Sequence, residues 1–316
     1  MGSLNVAVIQ MCSINCKSAN LVKAKQMCTK ALDESKEKLD LICFPECSAF
    51  VGTSGAESIS AAETIQAEGG YISHLCGIAT ANCVWISVGG FPELVVASES
   101  SKSSSSRVYN THILINTEGA VVYPVYRKIH LFNSPLANLF ESKTTEAGSS
   151  LVVHDVIAKK SSWRVGLTVC YDLRFPALYE KLCERPRTQE QGAEEEATTK
   201  MEEESSQLWG AELVLVPAAF TCHTGEVHWE VLLRARAIEN QCFIVAAAQV
   251  GKHNDKRQSY GHSMVVDPWG SVVARLGGQE EGICYACLDL QRLRDVRKQM
   301  PIASHRRNEL YPCSYG

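Results

Sequence analysis

Apolar positions along the chain switch between two periods. Leu4–Met11 is a nearly continuous apolar run bounded by polar residues, the pattern of a strand covered on both faces. Leu21, Ala24, Met27, Cys28, Ala31 and Leu32 then recur at three- and four-residue spacing and predict a helix over Ala19–Leu32. A second buried strand is expected at Leu39–Phe44 and helical sequence over Ser58–Asn82, interrupted at Gly69-Gly70. A third strand at Val84–Val88 is closed by Gly89-Gly90. Tyr109–Ile115 and Val121–Val125 predict a hairpin through the Asn116–Gly119 turn. Asn133–Ser150 reads as a long irregular loop, a feature often tied to function.

The second half repeats the alternation. Trp163–Val169 is a strand that stops at Cys170, turns, and opens a helix for which Asp172 is a plausible N-cap. Strands follow at Ala211–Phe220, Phe243–Val250, Ser263–Asp267, Ser271–Leu276 and Ile283–Leu290. Helices are expected at Val227–Asn240 and Leu290–Gln299. Two βα-rich halves place the chain in the α/β class. Two stretches break the pattern. Residues 97–107 are serine-rich and suit an exposed loop. Residues 184–207 are crowded with glutamate and too poor in large apolar side chains to repay ordering, so a mobile surface insertion in a single domain (1–316) is expected.

Composition narrows the possible partners. The 316 residues are 45% apolar and carry a net charge of -4, with no basic block. This argues against nucleic acid and against an anionic membrane surface. No apolar run approaches the roughly 20 residues of a membrane span. The N-terminal residues run straight into strand pattern without a leader signature, so a cytoplasmic location is expected. In that compartment the 14 scattered cysteines are reduced thiols. Cys284-Tyr-Ala-Cys287 is a lone pair whose members should face opposite sides of a strand, which does not make a zinc site.

Three residues at strand ends carry chemistry: Glu46, Lys128 and Cys170. Ligands gather at strand ends in layered α/β folds. A thiol, a carboxylate and an ammonium supply the nucleophile, proton carrier and oxyanion partner needed to hydrolyse an amide. The turn after the strand should aim N–H groups near the Cys170 sulfur and favour its thiolate. Taken singly, each residue also has an ordinary reading: a buried structural thiol, a solvated glutamate, a surface lysine.

The motifs Phe44-Pro45-Glu46, Tyr126–Phe132 and Gly166–Pro176 resemble, in order and spacing, the three catalytic motifs of the nitrilase (carbon–nitrogen hydrolase) superfamily. The resemblance implies an α-β-β-α sandwich with Glu46 as general base, Lys128 as oxyanion stabiliser and Cys170 as nucleophile. Phe140-Glu141-Ser142-Lys143 resembles the loop bearing the family's additional glutamate, which gives Glu141 a supporting role beside Lys128. The resemblance further implies a cofactor-free and metal-free enzyme, a small-molecule amide substrate and a homodimer or higher homo-oligomer. The segments 228–239, 246–249 and 256–270 are similar to the Nit branch of the family. That similarity implies action on the 2-oxo analogue of glutathione, with ω-amidase action on 2-oxoglutaramate or 2-oxosuccinamate as the alternative. Either substrate has a 2-oxo-acid end. Arg174 is the candidate clamp for its carboxylate, or else an ion-pair partner of Asp172 or Glu180. Tyr171 would lend its backbone N–H to the oxyanion, and Phe220 and Thr221 would line the pocket. His228 and Trp229 are weaker candidates, since Trp229 fits the core face of its helix.

Overall fold

The computed structural model describes residues 2–94, 107–135, 139–158, 161–185, 210–307 and 310. The serine-rich stretch, apart from Arg107, and the acidic stretch, apart from Glu184 and Arg185, lie outside the described residues. The first half runs β1 (Ser3–Gln10), α1 (Lys17–Glu34), β2 (Leu41–Phe44), α2 (Gly55–Ser60), α3 (Tyr71–Asn82), β3 (Trp85–Leu94), β4 (Val108–Ile115) and β5 (Tyr126–Arg127). Short strands β6 (Asn133–Ser134), β7 (Leu139–Phe140) and β8 (Thr145–Glu146) surround a 3-10 turn at Glu141–Lys143. The second half starts with β9 (Val153–Ala158), β10 (Ser161–Leu167), a 3-10 turn at Cys170–Arg174 and α4 (Pro176–Leu182). It continues with β11 (Leu213–Leu215), α5 (Cys222–Asn240), β12 (Phe243–Ala246), β13 (Val250–Lys252) and β14 (Gln258–Tyr260). It closes with β15 (Met264–Val266), β16 (Val272–Arg275), β17 (Gly282–Asp289), α6 (Leu290–Gln299) and α7 (Ile302–His305).

Among the described residues two large sheets form, in the orders β17-β1-β2-β3-β4-β5, with β8 paired to β4, and β16-β15-β12-β11-β10-β9, besides the two-stranded pairs β13-β14 and β6-β7. In each large sheet, three central strands are parallel: β1-β2-β3 and β10-β11-β12. Alternation along β1 shows why its middle, Val6 to Ile9, is apolar without a break. Val6 and Val8 point into a core shared with Trp163, Val165 and Leu167 of the other sheet. Ala7 and Ile9 point the other way, against Ala24 and Cys28 of α1 and Leu75 of α3. The second sheet is covered likewise by Leu178 and Leu182 of α4 and Trp229 and Leu233 of α5. The result is the four-layer α-β-β-α sandwich expected from the resemblance.

Several elements differ from the pattern-based expectation, each for a local reason. Strand β3 does not end at Gly89-Gly90. The register shifts between Val88 and Phe91 and pairing with β4 continues to Leu94, so the glycines form a bulge. A Cβ on Gly89 would lie 2.0 Å from the Pro217 ring, and one on Gly90 would lie 2.3 Å from Glu46 Cγ. Val121–Val125 contributes one bridge, Ile115 to Val121, before pairing resumes at β5. Pro124 interrupts this stretch and has no N–H for a ladder. Helix α5 begins five residues earlier than expected. Gly225 suggests a break, but it is where the Tyr260 ring presses on the helix, 2.3 Å from a notional Cβ. The loop 133–150 is not wholly irregular, since it holds β6, β7, β8 and the 3-10 turn.

His112 joins the two sheets. Its ring lies fully buried, with Nδ1 donating to the Thr168 carbonyl at 2.8 Å and Nε2 accepting from the Ser87 hydroxyl at 2.7 Å. Burial pushes its pKa down to about 4. The unfolded chain takes up this proton near pH 6.5, so the stabilising contribution is full above that pH and drains away as pH falls toward 4. Urea unfolding should show a loss on the order of 2 kcal/mol between pH 7 and pH 5 from this residue. An unchanged midpoint between those pH values would refute the assignment.

Candidate active site

The C-terminal ends of β2 and β10, one in each sheet, deliver Glu46 and Cys170 to one place. Glu46 follows β2 after Pro45, and Cys170 opens the 3-10 turn after β10 with φ 48°. Cys47 adopts φ 60°. Two non-glycine residues in the left-handed region store backbone strain where side chains must be re-aimed. The Cys170 amide donates to the Pro217 carbonyl at 2.8 Å and the Cys47 amide to the Gly90 carbonyl at 3.2 Å, which hold both turns.

Lys128 comes from a third direction. It directly follows β5, and its amide donates to the Asn110 carbonyl at 2.9 Å. Neighbouring Arg127 and Lys128 part company by strand alternation. Arg127 makes a two-pronged pair with Glu93 at 2.7 and 2.8 Å. The Lys128 ammonium donates to Glu46 Oε1 at 3.2 Å and to Glu141 Oε2 at 2.9 Å. Glu141, at the start of its 3-10 turn, also accepts the Phe132 amide at 2.7 Å. Asn110 Nδ2 completes the ring, donating to Glu46 Oε1 and Glu141 Oε1 at 3.0 Å each. The amide cannot be flipped without setting its oxygen against two carboxylates.

Burial alone would raise the Glu46 carboxyl. The Lys128 ammonium, the hydrogen bond from the Cys170 thiol, the Arg257 charge and the Asn110 amide outweigh it, and the group stays below its usual range. Burial would likewise lower Lys128, but Glu141 and Glu46 hold it well above an ordinary lysine. Cys170 moves the opposite way from the sequence-based expectation. Burial and the Glu46 charge push its thiol well above the usual value, against the weaker pull of Lys128 and the Ala219 amide. The turn's N–H dipoles do not win because its own amide is spent on Pro217 and a carboxylate faces the sulfur. The resting pair is a neutral thiol beside an ionised base.

Asp172 is not the N-cap of α4, which begins at Pro176 with Phe175 before it. It lies fully buried and accepts from the Tyr126 hydroxyl at 2.6 Å, the Val169 amide at 2.9 Å and the His130 amide at 3.1 Å. That tie fixes the Cys170 turn relative to the Lys128 segment. Arg174 is bonded to neither Asp172 nor Glu180. Its Nη1 meets His228 Nδ1 at 3.1 Å, and its guanidinium lies over the Phe220 ring at 5.4 Å and the Tyr171 ring at 5.9 Å. Thr221 is the residue before α5, its hydroxyl meeting that of Thr224 at 3.0 Å. Trp229 is a core residue whose indole donates to the His262 carbonyl at 2.8 Å. Asn110 and Arg257 went unassigned in the sequence. The clue to Asn110 was polar sequence, Asn110-Thr111-His112, inside an otherwise apolar strand.

Cys284 is buried and Cys287 exposed, on opposite faces of β17 as expected. No group of three or more metal-ligating side chains is found among the described residues.

The sequence signature of the family described as "Carbon-nitrogen hydrolase" matches residues 5–189 and 204–298. The chain belongs to the carbon–nitrogen hydrolase family. It is 38% identical to a protein of Dictyostelium discoideum named deaminated glutathione amidase, over 96% of this chain and 93% of that one. It is also 38% identical to the human protein of that name, over 97% of this chain and 83% of the relative. Among solved structures, the Caenorhabditis elegans NitFhit protein superposes with a TM-score of 0.78 at 36% identity, covering 99% of this chain and 67% of that one. The family signature skips residues 190–203, inside the glutamate-rich stretch. Glu46, Lys128, Glu141 and Cys170 all lie within the first matched part.

Proposed function

We propose that this carbon–nitrogen hydrolase is a thiol-dependent amidase that cleaves deaminated glutathione to 2-oxoglutarate and cysteinylglycine. The observation that carries the chemistry is the buried Lys128 ammonium bonded to both Glu46 and Glu141, with the Cys170 thiol against Glu46. The relatives of that name, matched over nearly the whole chain, support the substrate.

Glu46 takes the thiol proton as the sulfur attacks the amide carbon. Transfer to Glu46 accompanies the attack because the free thiol is held neutral. The Lys128 ammonium and the Tyr171 amide receive the developing oxyanion. Collapse of the adduct breaks the C–N bond, and the proton held by Glu46 passes to the leaving amine. Glu46 then draws a proton from water, whose oxygen attacks the thioester; collapse of that adduct breaks the C–S bond, the proton on Glu46 passes to the leaving sulfur, and the acid is released with the thiol restored. Glu141 and Asn110 keep Lys128 and Glu46 in register. Arg174, with Phe220 and Thr221 nearby, receives the 2-oxo-acid end.

The deciding measurement is steady-state hydrolysis of deaminated glutathione and 2-oxoglutaramate by the same preparation. A kcat/KM at least about tenfold higher for the tripeptide analogue is expected, because specificity is that ratio. A preference for 2-oxoglutaramate would move the protein to ω-amidase action.

A single domain with its acidic insertion in the cytosol suits this role; a band confined to the soluble fraction after cell breakage would support the location. Homodimerisation is supported by α5, where Val227, Val231 and Ile238, at helical spacing, form one exposed apolar stripe. Sedimentation at twice the monomer mass would bear it out, and a monomer at micromolar concentration would count against it.

A further inference from the structure

Gln249 is bonded to the segments that hold both reacting groups, and the mechanism does not use it. It lies just beyond β12 and is fully buried. Its backbone belongs to the Cys170 half of the molecule. The Gln249 amide donates to the Ala218 carbonyl at 2.9 Å, and the Gln249 carbonyl accepts the Gly261 amide at 3.0 Å. Ala218 directly follows Pro217, whose carbonyl accepts the Cys170 amide at 2.8 Å. The side chain reaches into the Glu46 half. Its Nε2 donates to the Glu46 carbonyl at 3.0 Å and to the Ser13 hydroxyl at 2.8 Å, and its Oε1 accepts the Ser13 amide at 2.9 Å. The Ser13 hydroxyl donates onward to the Ser48 carbonyl at 3.1 Å. The Glu46 and Ser48 carbonyls flank Cys47, the residue held at φ 60°, so the re-aimed turn that carries Glu46 is gripped on both sides.

The chemistry of the side chain suits this place. Both Nε2 hydrogens and Oε1 have partners, and a flipped amide would set oxygen against the Glu46 carbonyl and N–H against the Ser13 amide. The apolar contacts between the two sheets are non-directional and fix their approach loosely. Hydrogen bonds are directional, and a buried amide with every polar atom satisfied holds its partners in one arrangement.

We infer that Gln249 is a positioning residue that sets the separation of the Glu46 carboxylate from the Cys170 sulfur, and with it the proton transfer between them. The inference rests on the reading above, in which Glu46 takes the thiol proton. Gln249 acts through the Glu46 main chain on one side and the Pro217-Ala218 segment on the other. Misplacement of a reacting group by about 1 Å costs on the order of a hundredfold in rate.

Two variants test it. Gln249→Met keeps the length and removes the polar atoms. Gln249→Asn keeps an amide for Ser13 but falls one methylene short of the Glu46 carbonyl, and it covers the case in which Gln249→Met does not fold. Each should lose at least about tenfold in kcat on deaminated glutathione with KM within about threefold of wild type. A second readout is the pH dependence of Cys170 alkylation by iodoacetamide, followed at that residue by mass spectrometry. The charges of Glu46, Lys128 and Arg257 act on the sulfur, and in the wild type burial and Glu46 hold the thiol high. Withdrawal of Glu46 removes an upward push, so the alkylation midpoint should fall by at least about half a pH unit. Leu75→Ala, a cavity in the core against α3, controls for lost stability and should leave kcat and the midpoint near wild type. A kcat near wild type in Gln249→Asn would overturn the inference. So would a lowered kcat with an unmoved midpoint, or the same changes in Leu75→Ala, since either would mean general support of the fold. Alkylation needs no amide substrate. Absence of wild-type turnover of deaminated glutathione would therefore overturn the functional reading, while the titration still decides the role of Gln249.

Discussion

Cys170→Ala is expected to lower kcat on deaminated glutathione by at least about ten-thousandfold, to the assay floor, while the protein stays folded. No neighbouring group can replace the sulfur. Cys47, next to Glu46, has its thiol pushed up to about 12 by burial and the Glu46 charge, and its backbone is committed at φ 60°. Alanine accepts the φ of 48° at position 170 with no more strain than cysteine does. The amide bond to Pro217 is a backbone contact and survives the change. The wild-type thiol should also show no thiolate absorbance at neutral pH, since burial and Glu46 hold it protonated. Residual turnover within a hundredfold of wild type would rule out Cys170 as the nucleophile. A strong neutral-pH thiolate band would instead disprove the concerted proton transfer.

The layers of the fold were legible because both faces of its central strands are buried. Val6 and Val8 serve one core, Ala7 and Ile9 another, and nothing polar interrupts them. Strand ends were legible for the same reason, so Glu46, Lys128 and Cys170 stood out as chemistry placed where apolar runs stop. What the pattern could not carry was any feature set by distant contact. Gly225 looks like a helix breaker until Tyr260 is seen pressed against it. Gly89-Gly90 looks like a strand end until Pro217 and Glu46 are seen to need the space. Asp172 has the side chain of an N-cap, yet its partners are Tyr126 and His130, more than 40 residues away in sequence. The state of Cys170 was misjudged because local dipoles are visible in a sequence, whereas the Glu46 charge arrives from the other sheet.

Lys128→Met keeps the length of the side chain and removes the charge that reconciles two buried carboxylates. Glu46 Oε1 and Glu141 Oε1 both lie 3.0 Å from the one Asn110 nitrogen, so without Lys128 they repel each other. Three consequences follow. Breaking a buried ion pair from one side costs about 3–5 kcal/mol of stability at neutral pH, less whatever is recovered when a carboxyl takes up a proton. That proton goes to the pair, because the burial that Lys128 formerly offset now raises Glu46. Loss of an oxyanion donor lowers kcat by about 10²–10³ on its own account. In the wild type Glu46 must be ionised to act as base, and its lowered pKa keeps it so to below the ordinary carboxylate range. The acid limb of kcat/KM therefore lies at low pH. In Lys128→Met that limb should move upward toward neutrality, along with the drop in kcat. Urea unfolding and a pH profile of the same protein separate the effects. A variant that loses stability while its acid limb stays in place would show that Lys128 holds the loops together but does not set the charge on Glu46.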